Sequence, residues 1–265
     1  MRYGLIAAWA ALALALGGRV AAQSLAQRVS GAGDGRVQLR FASRPGVCGD
    51  GRGTISTGDH NVMRGNWSTG DDTNWRRFCA PGPVRVVMST SHGGVDRLRV
   101  SIGGNDSGAT VHDLGTVSAP DAAQYLLDLA RDASNSVGED AVLAGVLADS
   151  TTPWPSLLTL ARDARSADTR QNAAFWLGRA AAASVNGTQM FGASDEPAET
   201  PDEDVRGQAI FALSQQPHNE SVPVLIQVAR TNPDPVLRSK ALFWLSQTGD
   251  DRAIDLFAQI LRVQH

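Results

Sequence analysis

Lysine is almost missing from this chain. Lys240 is the only one, and every other basic side chain is arginine. We read that imbalance as codon usage, without functional weight. Cysteine is nearly as scarce, with Cys48 and Cys79 alone. There is no CxxC pair and no histidine at ligand spacing from either, which argues against a zinc site built on them. The five histidines, His60, His92, His112, His218 and His265, are too scattered along the chain to suggest a metal centre. The sequence contains no HExxH, no GxSxG, no P-loop and no EF-hand loop, so it offers no support for the chemistries those motifs carry. Gly49-Asp50-Gly51-Arg52-Gly53 does not sit between a strand and a helix and reads as a turn, not a phosphate cradle. Excess positive charge is also lacking. The formal net charge of −3 argues against nucleic acid as a partner. After residue 22 no apolar run approaches the ~20 residues of a membrane span.

The first 22 residues differ from the rest. Arg2 precedes an apolar run from Leu5 to Leu16, and small residues lead to Ala22. A short positive start, an h-region of this length and small residues before a cleavage point form a secretory signal. We therefore expect a signal peptide over 1–22, an exported product (periplasmic or secreted) and no stable span after cleavage. Removing Arg2 and Arg19 takes the formal charge to −5. In an exported chain, an even pair of cysteines favours a Cys48–Cys79 disulfide over free thiols or metal ligands.

Residues 24–35 are rich in Ser, Gly, Ala and Gln and read as a mobile leader. Val37 to Ala42 alternates apolar and polar, as a strand does. Thr54 to Thr57 suggests a short strand. Val84 to Met88 and Val95 to Ile102 suggest a hairpin across Ser91-His92-Gly93-Gly94. Together these predict a small antiparallel β domain over 23–117, with a core thin enough to need the disulfide.

From Ser118 the period becomes helical, with Ser118 or Asp121 as the first cap. A phrase then occurs three times: Thr169-Arg170-x-x-Ala173-Ala174-Phe175-Trp176-Leu177, Val205-Arg206-x-x-Ala209-Ile210-Phe211-Ala212-Leu213 and Leu237-Arg238-x-x-Ala241-Leu242-Phe243-Trp244-Leu245. The arginines are 36 and then 32 residues apart, a spacing typical of helical repeats. With Arg as position 0 and about 100° per residue, positions −1, +3, +4, +6 and +7 share one arc and predict a buried stripe. Trp176 and Trp244 fall on it. Position +5 points nearly the opposite way, yet it is Phe in all three copies. Tyr125 to Arg131, Ser156 to Arg162, Val224 to Arg230 and, more loosely, Ile254 to Leu261 read as companion helices. Residues 184–204 break the rhythm and carry Asp195, Glu196, Glu199, Asp202, Glu203 and Asp204. No amphipathic helix fits there, and a loop that long is functional or disordered when it occurs.

On these residues the stretch from about 120 to 263 resembles the HEAT-repeat family. Val205-Arg206-x-x-Ala209 and Leu237-Arg238-x-x-Ala241 carry the likeness, with Leu213 and Leu245 seven positions after the arginines. Asn232 to Val236 and Gly249 to Ala253 look like the family's inter-helix turns. The resemblance implies an α-solenoid over 118–265, and so an α+β chain with a β domain leading into it. It also implies a scaffold that binds other proteins along a concave face, with a few relatives supporting chromophore-lyase chemistry. The Phe at +5 and the long insert depart from the family pattern.

The candidate binding residues are Phe175, Phe211 and Phe243, as an apolar stripe for another exported or cell-envelope protein, together with Arg170, Arg206 and Arg238. The arginines also read as a structural ladder reaching turn carboxylates and carbonyls. No catalytic residue, metal site or cofactor is assigned. The runner-up reading is an enzyme or lyase-like accessory with a site between the β domain and the solenoid, using His60, His92 or Asp71-Asp72. A third is a carbohydrate binder using Trp67 and Trp75.

Overall fold

The computed structural model describes residues 23–57, 61–63, 66–68, 79–104, 110–187 and 201–263. The expected signal peptide, His60, Asp71, Asp72, Trp75 and His265 lie outside them, and at Trp67 only the backbone is described.

The chain begins with helix α1, Leu25–Gly31. Ser24 accepts from the Gln27 amide, and the Gln27 side chain accepts in return from the Ser24 amide, a reciprocal cap that starts the helix. Leu25 and Val29, one turn apart, are buried, and Arg28 donates to the carbonyl of Leu114 at 2.7 Å. The segment expected to be a loose leader is thus helical and docked, because its two apolar residues fall at i and i+4.

Strand β1, Gly35–Phe41, follows. Next come four very short strands, β2 (Cys48–Gly49), β3 (Ile55–Ser56), β4 (Asn61–Met63) and β5 (Asn66–Ser68), which form their own antiparallel meander. Strands β6 (Val84–Ser91), β7 (Gly94–Ile102) and β8 (His112–Thr116) complete a main sheet of order β7-β6-β1-β8. The β6–β7 turn places His92 at φ 51° and Gly93 at φ 77°. Two successive left-handed residues match the right-handed twist of a tight hairpin. Cys48 and Cys79 form the disulfide, with Cα atoms 5.2 Å apart. The adjacent pair Gly49 and Ala80 exchange two backbone hydrogen bonds of 3.0 and 2.9 Å.

The main sheet corrects one expectation. It is mixed, not antiparallel, because β8 runs parallel to β1. The chain leaves β7 at one edge and re-enters at the other, beside β1 and in its direction. Its residues are mostly exposed, so no alternation marked it in the sequence.

The inner face of the main sheet holds Val37, Leu39 and Phe41 on β1, Val84, Val86 and Met88 on β6, and Leu98 and Ile102 on β7, all buried. This face is continuous with the helical core. Arg44, in the loop after β1, anchors the junction. Its Nε donates to Val146 at 2.8 Å and its amide to Leu147 at 2.9 Å, and burial pulls the guanidinium below its ordinary pKa, with Asp149 opposing.

Eight helices follow among the described residues: α2 (Ala119–Asp132), α3 (Asn135–Val146), α4 (Trp154–Asp163), α5 (Ala167–Asn186), α6 (Pro201–Ser214), α7 (His218–Thr231), α8 (Pro235–Ser246) and α9 (Asp251–Val263). Ser118, Ser166 and Asp234 cap α2, α5 and α8 through side-chain oxygens. Gly187 closes α5 in the left-handed conformation at φ 66°. The 184–204 stretch, expected to be free of helix, is helical at both ends. Residues 188–200 lie outside the described set.

The helices lie in two layers. One holds α3, α5, α8 and α6 side by side, and the other holds α2, α4, α9 and α7. The phrase helices sit in the first layer and their companions in the second. Their order is not that of the chain, since α8, not α6, takes the place beside α5. The pair α5 and α8 also run in opposite directions: Gln171 near the start of α5 donates to the carbonyl of Gln247 at the end of α8, and Asn186 at the end of α5 donates to Ser239 near the start of α8. On the other side of α8, α6 runs parallel, with Gly207 beside Lys240 and Phe211 beside Trp244. Helix α9 closes the second layer between α4 and α7, held by Arg162–Asp255 at 2.6 Å and Arg230–Gln259 at 2.6 Å.

Candidate aromatic interaction surface

The three repeated phenylalanines sit on α5, α6 and α8, and the reordering of those helices decides their neighbours. Phe175 meets Phe243 edge-on at 6.4 Å between centroids. Phe243 meets Trp244 of its own helix at 5.0 Å, and Trp244 meets Phe211 of α6 at 5.0 Å. The result is a continuous ladder, Phe175–Phe243–Trp244–Phe211, across three helices. The first two contacts are edge-to-face and the third is tilted at 46°, both favourable ring geometries at these distances.

Exposure varies along the ladder. Phe175 is 8 % exposed, Phe243 38 % and Phe211 40 %. The buried end follows from α8 lying across α5 on the side where +5 points, a side the helical phase alone would leave to solvent. The open end follows from α6 being the last helix of its layer. Trp244 joins the ladder half-buried, while its counterpart Trp176 is fully buried. Sequence phase placed both on the core arc. The difference lies in the neighbours: on the α6 side Trp244 packs against Phe211, which is itself exposed.

The position-0 arginines show a repeated geometry. Nη1 of Arg170 donates to the carbonyls of Ala164 and Arg165 at 2.7 and 3.3 Å, and Nη1 of Arg238 to those of Asn232 and Pro233 at 2.9 and 3.1 Å. Each guanidinium thus satisfies the carbonyls of the turn leading into its own helix, six and five residues back. Arg206 is exposed, and the residue six positions before it lies outside the described set.

A cleft of about 420 Å³ opens between α1, the β6–β7 turn and α2, with Thr90, Val95, Tyr125 and Leu129 in its wall. Burial pushes the Tyr125 phenol up to about 12, so it stays neutral, and its hydroxyl donates weakly to Met88 Sδ at 3.7 Å. His92 stands exposed on the hairpin turn and does not line this cleft. Among the described residues there is no cluster of three metal-ligating side chains and no helix long and apolar enough to cross a membrane.

With that geometry in view, residues 197–265 match the family model for HEAT repeats, a stretch that covers α6 to α9. No curated protein and no solved structure matches the chain.

Proposed function

We propose that this chain is an exported, non-enzymatic scaffold. In this reading 23–117 forms a β domain and 118–265 a HEAT-like helical repeat domain that captures another exported or cell-envelope protein on the layer built from α3, α5, α8 and α6. HEAT repeats commonly mediate protein–protein interaction, and the match over 197–265 supports that class of function. The observation that carries the reading is the exposed end of the ladder. Phe243 and Phe211, with Trp244 between them, form one apolar patch on adjacent parallel helices, fixed by ring contacts. Contiguous exposed aromatics mark interaction sites, and few such residues supply most of the affinity. The arginines serve the reading indirectly, since by fixing each turn they hold the helices that carry the rings.

The test places a photo-crosslinking residue at 211 or 243 in the exported protein and identifies the adduct. Phe211→Ser with Phe243→Ser should lower capture of that adduct's protein by at least about tenfold, while the far-UV spectrum and melting profile stay those of the parent. Phe175 is left intact because its burial makes any loss there ambiguous. An unchanged adduct yield in the double variant would overturn the reading. The export element is checked separately by the amino terminus of the mature protein, expected at Gln23.

A further inference from the structure

The β region carries a second surface, on strand β7. This strand is an edge of the main sheet, and among the described residues no strand pairs with its outer side. Among the described residues the one backbone partner on that side is at its last position, where Gly51 donates to the carbonyl of Ile102 at 3.0 Å. A free edge of this length presents a row of backbone donors and acceptors to an added strand.

The two faces beside that edge differ in chemistry. On the outer face Arg97 and Arg99 are both exposed. In register, Arg97 lies opposite Ser89 of β6, and Ser89 lies opposite Arg36 of β1. Arg36 and Arg97 therefore stand about 10 Å apart across one row, with Arg99 about 7 Å along β7 from Arg97. Among the described residues none of these three arginines is in an ion pair. Two nearby carboxylates are engaged elsewhere: Asp113 with Arg40 at 2.5 Å, and Asp96 with the Ser91 hydroxyl. On the inner face Val95 and Val100 are half-buried, and Val95 borders the 420 Å³ cleft.

We propose that β7 is a docking edge for an extended acidic segment of another polypeptide, which adds as a strand. Its alternate carboxylates lie on Arg97 and Arg99, and its intervening apolar side chains cover Val95 and Val100. The period of two in the ligand matches that of the edge from Arg97 to Ile102, and the register shift at Ser89/Thr90 returns Val95 to the face of Val100. Guanidinium groups bind carboxylates with paired, directional hydrogen bonds. The backbone row selects the occupant's class. A lipid surface or a nucleic acid would satisfy the arginines and leave the edge unpaired, whereas a peptide strand satisfies both. This site is separate from the aromatic ladder, and neither depends on the other.

The experiment uses the mature chain and a fluorescent peptide of alternating Glu and Val, read by anisotropy. Two control peptides accompany it, one alternating Lys and Val, the other alternating Glu and Pro, which keeps the charge and cannot form a ladder. Saturable binding of the Glu–Val peptide alone is expected. Arg97→Glu with Arg99→Glu should weaken it at least tenfold and confer binding of the Lys–Val peptide, a gain that a misfolded variant would not show. Equal binding of the Glu–Pro peptide, or of phosphatidylglycerol vesicles in place of any peptide, would overturn the proposal by showing that charge alone suffices. So would a variant that self-associates through β7 while the parent binds no peptide, since the arginines would then only guard the edge.

Discussion

Gly178 of α5 lies against Ser246 of α8. A Cβ on the glycine would sit 2.6 Å from the Ser246 Cβ and 3.3 Å from the Leu242 carbonyl oxygen. The two residues occupy the same place in their phrases, eight positions after the arginine, so α5 and α8 meet through like surfaces running in opposite directions. Phe175 and Phe243, both at +5, meet across the same junction. The helical half of the molecule thus resembles two short rows joined face to face within one chain.

Gly178→Ala should therefore destabilise the fold although alanine is the better helix former. The preference of alanine over glycine in a helix is worth about 1 kcal/mol. Overpacking against a backbone carbonyl and a Cβ costs about 1–3 kcal/mol. The expected net loss is up to ~2 kcal/mol of unfolding free energy, read as a lower denaturation midpoint. Adding Ser246→Gly should recover part of it, giving a favourable coupling in a double-mutant cycle. Additive effects would mean that α5 and α8 do not approach at this point.

Opening the disulfide should act on the β region first. Cys48 and Cys79 are 31 residues apart, and loop closure of that length stabilises by about 3–4 kcal/mol in the chain-entropy model. Cys48→Ser with Cys79→Ser should lower the melting temperature and speed proteolysis within 45–80. The helical signal should survive to a higher temperature than the first cleavage. Identical proteolysis of parent and variant under oxidising conditions would contradict this.

Much of this architecture was legible in the residues. Helical phase placed Thr169, Ala173, Ala174, Trp176 and Leu177 on the buried side of α5, where all five are found. The same positions of α8 are buried, with Trp244 half-buried. Caps at Ser118 and the hairpin at His92-Gly93 follow from local chemistry. Phase failed on α6, where Val205 is 67 % exposed and Ala209 and Ala212 are open. The reason is tertiary: among the described residues α6 ends its layer, with only α8 beside it in that layer and α7 behind. The same limit applies to the ladder. Periodicity within a helix fixes which side chains share a face, but not which helix covers that face, so the burial of Phe175 and the inclusion of Trp244 depended on the unforeseen order of α5, α8 and α6. The parallel strand β8 was hidden for a different cause, its own exposure.

Glu139 of α3 should make stability depend on pH. Burial first, and the neighbouring Asp168 second, hold its carboxyl above the usual range. In the unfolded chain it loses its proton at the ordinary value, while the folded chain keeps it to higher pH. Stability is therefore fully present below the unfolded pKa and falls as pH rises through the folded one. Glu139→Gln should raise the denaturation midpoint at neutral pH and leave it unchanged near pH 3, where both states are protonated. Asp168→Asn should reproduce part of the gain at neutral pH. A gain of equal size at both pH values would assign the effect to packing instead.

Helix α9 should be the element on which the helical half depends, although it is the last in the chain. A terminal helix at the end of a row could fray or be removed with little consequence. This one lies inside its layer, between α4 and α7, and also contacts α5. Ala253, Ile254, Leu256, Phe257, Ala258 and Leu261 are buried along it, and Phe257 is completely enclosed. Phe257→Ala removes a ring from a site closed on all sides and should cost about 3–5 kcal/mol. Gln259→Ala breaks the bond from Arg230 on the exposed side of the same helix and should cost no more than about 1 kcal/mol. Ending the chain after Asp250 should leave apolar faces of α4, α5 and α7 open together, so that the truncated protein loses cooperative unfolding and aggregates. Circular dichroism with urea titration distinguishes the outcomes. A truncated chain that melted at the parent's midpoint would show that the two rows close without α9, and the layered arrangement would have to be redrawn.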